Sequence, residues 1–161
     1  MRKRSSYRPR GVRVNAITMA MQCASLLSKT DQLIRADRLA SAVERLIASA
    51  AELKDWGEVF DAINMIEALE HTHAHAIRDA REFVEAQQAN VVAAMDRQKA
   101  TGSNVLTVAE CRMLRDLSAT WAEVLGVVTH REYFAAEERV YQKVRQALRK
   151  PPAGVRVLEA A

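Results

Sequence analysis

Residues 103–132, SNVLTVAECRMLRDLSATWAEVLGVVTHRE, decide the fold. Thr107 with Glu110, and then Thr129 with Glu132, stand in the T-x-x-E spacing of a capping box. In that motif a hydroxyl and a carboxylate each satisfy a backbone N–H that the first turn of a helix leaves free. Between the two pairs, Cys111, Leu114, Leu117, Trp121 and Leu125 recur at steps of three and four, which places them along one side of a helix. Leu106 precedes the first pair where a hydrophobic staple belongs, and Gly126 is the expected stop. The stretch therefore predicts one complete helix and the opening of another.

Outward from it the chain is built in the same way. Only five Gly and three Pro occur, and neither type falls between Gly11 and Gly57 or between Gly57 and Gly102. So few breakers, with so much Ala, Leu, Glu, Arg and Gln, predict an all-α protein. Downstream, the last helix is expected to bury Tyr133, Phe134, Val140, Val144 and Leu148. Arg149 and Lys150 suit its negative end, and Pro151 and Pro152 stop it.

Upstream, Thr101-Gly102-Ser103-Asn104 is a turn. Before it, Asp55 is the expected cap of a helix on which Trp56, Val59, Phe60, Ile63 and Ile66 share a face. Glu67 and Glu70 interrupt that face, which becomes apolar again at Ile77 and Val84. An unbroken helix of about 45 residues to Ala100 would be ~66 Å long, so a compact domain predicts a turn near His71–Ala76. A further helix, capped by Thr30 or Asp31, carries Leu33, Ile34, Leu39, Val43, Leu46 and Ile47. A short first helix starts at Ala16 with Ile17, Met21 and Leu27. The expectation is an all-α, single-domain bundle of five or six helices over residues 16–150. An extended basic arm, 1–15, precedes it and a loose tail, 151–161, follows. Trp56, Phe60, Trp121 and Tyr133 lie in apolar stripes and are expected in the core.

At 49% hydrophobic and 27% charged residues, the composition excludes disorder over most of the chain. No apolar run reaches the ~20 residues of a membrane span. Cys23 and Cys111 share no motif spacing and are expected to be small core residues in a reducing compartment. Ala16–Leu27 follows a basic segment as a secretory leader would, but Gln22 and Ser25 interrupt it and no small-x-small site precedes Lys29. Pro9 and Gly11 spoil the amphipathic helix of a mitochondrial presequence. The expected location is the cytoplasm.

The histidines cluster as His71, His73 and His75. On a helix, His71 and His75 would share a face with Glu67, and Glu70 with His73 makes one E-x-x-H unit. A carboxylate-bridged metal centre needs a second such unit, which is missing, as is H-E-x-x-H. No G-x-S-x-G, no cysteine in a catalytic setting and no phosphate-cradling glycine loop occurs. The chain is accordingly expected to be no enzyme, and to hold no metal and no cofactor.

Its strongest functional signal is charge. The first thirty residues contain seven Arg or Lys and no acid, whereas the whole chain is only +4, so the remainder is net negative. Arg2, Lys3, Arg4, Arg8, Arg10 and Arg13, with Tyr7 among them, form the candidate binding set. They suit phosphate contacts or the acidic groove of a protein partner. Arg139, Lys143, Arg145, Arg149 and Lys150 extend that surface or form a solvated helix face. Six phosphate contacts on duplex DNA would cost about a thousandfold in affinity between ~50 and ~200 mM salt. The helix after Thr101–Asn104 offers only Arg112 and Arg115 near its start, too few donors for a recognition helix. No aromatic platform for single strands stands out.

The opening Lys3-Arg4-Ser5-Ser6-Tyr7-Arg8-Pro9-Arg10-Gly11-Val12 resembles the head of small helical proteins encoded by phages and prophages of Gram-negative bacteria. Lys54-Asp55-Trp56, followed by an Ala/Ile/Leu helix, is similar to theirs too. The resemblance implies an accessory protein in a bacterial host. The expected function is stoichiometric, non-enzymatic binding of a host nucleic-acid-handling or defence protein, with the basic arm adding charge contacts. The alternative is a nucleic-acid-binding regulator or packaging factor that uses the arm on phosphates. No membrane partner is expected.

Overall fold

The computed structural model describes residues 24–73 and 80–149, with side chains for all of these except 71–73. Five helices fill them: α1 Lys29–Ile47, α2 Leu53–His73, α3 Ala80–Thr101, α4 Val108–Val127 and α5 His130–Arg149. The all-α bundle is as expected. The arm 1–15, the short helix from Ala16 as far as residue 23, Ile77, Lys150 and the tail 151–161 lie outside the described residues; Leu27, expected on that short helix, is buried but not helical, because its N–H pairs with the Val128 carbonyl.

Helix α2 is the axis of the bundle and packs against each of the other four helices. Its sequence explains this, because Trp56, Val59, Ala62, Ile63, Met65, Ile66, Ala68 and Leu69 go round the helix without confining themselves to one side, and all are buried. A helix with apolar residues over so much of its circumference has to be covered on most of its sides. Helices α2 and α3 pack against each other, which one continuous rod cannot do, so they are separate helices as the turn expected near His71–Ala76 requires, with α2 continuing through His71 to His73. Ile63, Ile66 and Leu69 meet Leu114, Leu117 and Leu125 of α4 in one buried cluster. Each such side chain contributes about 1.5–3 kcal/mol of transfer free energy. Trp56, Trp121 and Tyr133 are buried as expected, and Phe60 is partly so. Cys111 is partly buried, and Cys23 lies outside the described residues.

The helix ends follow local chemistry, with three corrections. Helix α1 is capped by Ser28, ahead of Thr30 and Asp31. Ser28 Oγ accepts the Asp31 N–H at 3.0 Å and donates to the Asp31 carboxylate at 2.6 Å. Ser28 is extended because Leu27 before it is held in a short antiparallel pairing. Asp55 is not the cap of α2. It sits in the first turn, and its Oδ2 reaches back to accept the Glu52 N–H at 2.8 Å. Helix α4 runs one residue past Gly126 and ends because Val128 turns extended. The Leu27 N–H donates to the Val128 carbonyl, and the His130 N–H to that of Ser25, both at 3.0 Å. Both capping boxes form as expected, with Thr107 and Thr129 Oγ1 each accepting at 3.3 Å from Glu110 and Glu132.

Two predicted stripes are narrower than expected. Leu33 and Ile34 are 69% and 51% exposed, because at about 100° per residue they lie well off the line of Leu39, Val43 and Leu46. On α5 only Tyr133 and Ala136 are fully buried, with Val140 partly covered. Phe134, Val144 and Leu148, expected inside, are exposed. The reason is how α5 is docked: Lys143 Nζ donates to both Glu67 carboxylate oxygens at 2.7 Å, and Arg139 Nη1 donates to the Ala68 carbonyl at 3.1 Å. These polar side chains face α2 and turn the apolar stripe sideways.

Candidate functional site

A groove of about 340 Å³ opens between α1, α2 and α5. Its floor is apolar: Leu39 from α1, Ala62 and Met65 from α2, Trp121 from α4 and Val140 from α5. Each lies one or two turns from its neighbour on the buried stripe of its helix, so the same periodicity that builds the core also paves the groove. Its rims are charged, with Arg35 and Arg38 on one side and Glu58, Asp61 and Glu137 on the other. Tyr141 and Val144 close the end nearest the exposed half of α5.

Tyr133 is the hinge of this arrangement. Its ring is buried and tilted against Trp121 at 6.4 Å between centroids. Its hydroxyl accepts a 2.6 Å hydrogen bond from Arg35 Nη1, while the guanidinium carbon stands 4.0 Å from the ring centroid. Arg35 therefore serves the hydroxyl and the ring together, a cation–π contact with a hydrogen bond at its edge. Burial pushes the Tyr133 hydroxyl up from its ordinary value; the Arg35 charge pulls it down and Glu137 pushes it up.

Asp61 keeps contact with solvent, yet the groove walls remove enough water to raise its carboxyl above the usual range. The charge of Glu58 beside it acts in the same direction. A carboxyl raised in this way gains from a nearby cation, because the cation relieves both the lost hydration and the like-charge neighbour. The groove can thus take an apolar side chain on its floor and a cationic group against Asp61 and Glu58.

The residues expected to bind do not converge here. Arg2, Lys3, Arg4, Tyr7, Arg8, Arg10 and Arg13 lie outside the described residues. Of the arginines and lysines on α5, Arg139 and Lys143 are committed to α2, which leaves Arg131, Arg145 and Arg149 exposed. The side chains of His71, His73 and His75 are outside the described set. Among the described residues no group of three or more His, Cys, Asp or Glu comes together as metal ligands. No described helix is long and apolar enough to cross a membrane. Arg35, Asp61 and Tyr133 carry no sequence motif: Arg35 and Tyr133 are 98 residues apart, and only the fold brings them together. No family model, curated protein or solved structure matches the chain.

Proposed function

We propose that this protein works by binding: a non-enzymatic accessory protein that engages a protein partner stoichiometrically. The observation that supports this reading is the groove between α1, α2 and α5, with its apolar floor and charged rims. That combination accepts a protruding side chain from another protein and orients it by charge. The basic head supplies further contacts to an acidic partner or to nucleic acid the partner already holds. Its resemblance to phage and prophage heads points to a bacterial nucleic-acid-handling or defence protein as the target.

The test is capture from a nuclease-treated bacterial lysate, with the full chain beside an Asp61→Arg variant and a variant with Arg8 and Arg10 changed to Glu. One stoichiometric protein, lost with Asp61→Arg and weakened by the head variant, supports the reading. Recovery of nucleic acid alone, and only when nuclease is left out, overturns it in favour of the regulator or packaging factor. Binding that falls steeply with salt would accompany that outcome.

A further inference from the structure

We propose that a second copy of this chain covers the outer face of α5, in an antiparallel pairing of α5 with α5. The exposed stripe beside the groove carries Phe134, Tyr141 and Leu148 at seven-residue intervals, with Val144 between the last two; Tyr141 and Val144 also close the groove's end. Their exposures are 54%, 59%, 62% and 47%. A seven-residue apolar repeat on one side of a helix is the seam by which two helices pair. At about half exposure these four side chains offer roughly 400 Å² per copy, the size of patch that marks an interaction site on a monomer.

Charge identifies the occupant and sets its direction. The acids of α5, Glu132, Glu137 and Glu138, lie in its first half, beside Arg131 and Arg139, the latter held to α2; its second half carries only cations, Lys143, Arg145 and Arg149. Glu138 and Arg145 flank the seam on the same side. A parallel partner would set Glu137 and Glu138 against their own counterparts. An antiparallel partner, centred on Tyr141, sets Phe134 against the partner's Leu148 and Glu138 against the partner's Arg145, twice over by symmetry. A two-fold pairing of this kind uses one patch on both copies and closes on itself. With its charged flanks the contact buries on the order of 1,200 Å² in total, the small end of specific interfaces. Interfaces at this end of the range are commonly reversible, and a dissociation constant on the order of 10 µM sets the concentration scale of the test.

Sedimentation of the full chain, over concentrations about tenfold either side of that value, tests this. Wild type shifts from monomer to dimer. Tyr141→Glu, which places two acids on the two-fold axis, abolishes the shift. Glu138→Arg and Arg145→Glu each weaken it about tenfold. An equimolar mixture of these two variants recovers it, because each then faces the opposite charge. All three positions are exposed, so unchanged circular dichroism separates loss of pairing from loss of fold. A monomer throughout overturns the proposal; residues 1–23, residues 150–161 or a foreign partner would then be left to cover the face. A dimer indifferent to Tyr141→Glu, or a mixture that does not recover, overturns it as well.

Discussion

Arg45, near the end of α1, grips Asp55, in the first turn of α2, through two hydrogen bonds to one oxygen: Nε at 2.9 Å and Nη2 at 2.6 Å from Oδ1. The other oxygen takes the Glu52 N–H, so the carboxylate joins two helices and ties the first turn of α2 to the residue before it. Asp55 has no exposed surface, yet its cover is the loop and Arg45 and not the deep core. The Arg45 hydrogen bond holds its carboxyl below the ordinary carboxylate value against the opposing effect of burial. Because the folded value is lowered, the stabilisation is present above the unfolded value and is lost as pH falls through the folded one. Asp55→Ala is expected to cost about 2 kcal/mol at neutral pH. It should also soften the loss of stability below pH ~4, read by urea unfolding at both pH values.

Asp61 carries the opposite sign. Its folded value is raised, so it favours the native state while protonated, and stability declines as pH rises through the carboxylate range. Asp61→Asn should remove that decline and raise the melting temperature at neutral pH by about 1 °C, a small effect because the group is partly solvated. No gain at neutral pH would mean the groove walls do not desolvate the carboxyl.

Gln87 is 2% exposed on α3. Its Nε2 donates to the Met113 carbonyl of α4 at 3.0 Å, while Oε1 is buried without a hydrogen-bond partner. An unpaired buried acceptor costs about 1–3 kcal/mol, and a side chain of similar volume without it avoids that cost. Gln87→Met is predicted to stabilise the protein by roughly 1 kcal/mol, seen as a higher urea midpoint at unchanged slope.

The Thr107 box is tied into a third group. Glu110 accepts from the Thr107 N–H and from Arg97 Nη2, each at 2.6 Å. Burial alone would raise its carboxyl, but these bonds together hold it below the ordinary value. Thr107→Ala should cost about 1 kcal/mol. Because Arg97 also donates to the Val105 carbonyl at 2.8 Å, hydrogen exchange should show faster opening of residues 102–107 and the first turn of α4 before the remainder of that helix.

What was legible in the sequence was what depends on near neighbours. Both capping boxes, the turn at Gly102 and the burial of Leu114, Leu117, Trp121 and Leu125 are set within one or two helical turns. Thr30 and Asp31 look like the caps of α1 because nothing near Ser28 in sequence reveals its extended backbone, which follows Leu27, itself hydrogen-bonded to the distant Val128 carbonyl. The sidedness of α5 was hidden for the same reason. Lys143 and Glu67 are 76 residues apart, and without that pair the helix's apolar stripe appears to belong inside. The groove was invisible in the sequence, since Arg35 and Asp61 look like ordinary surface charges until Tyr133 is set between them.

The pairing of Ser25–Leu27 with Val128–His130 fastens the approach to α1 onto the joint between α4 and α5 with two backbone hydrogen bonds at 3.0 Å. Three helix ends that are distant in sequence therefore share one clasp. Whatever unsettles Val128 or Thr129 is felt at the start of α1 as well as at the start of α5, so these ends should open together and not one by one.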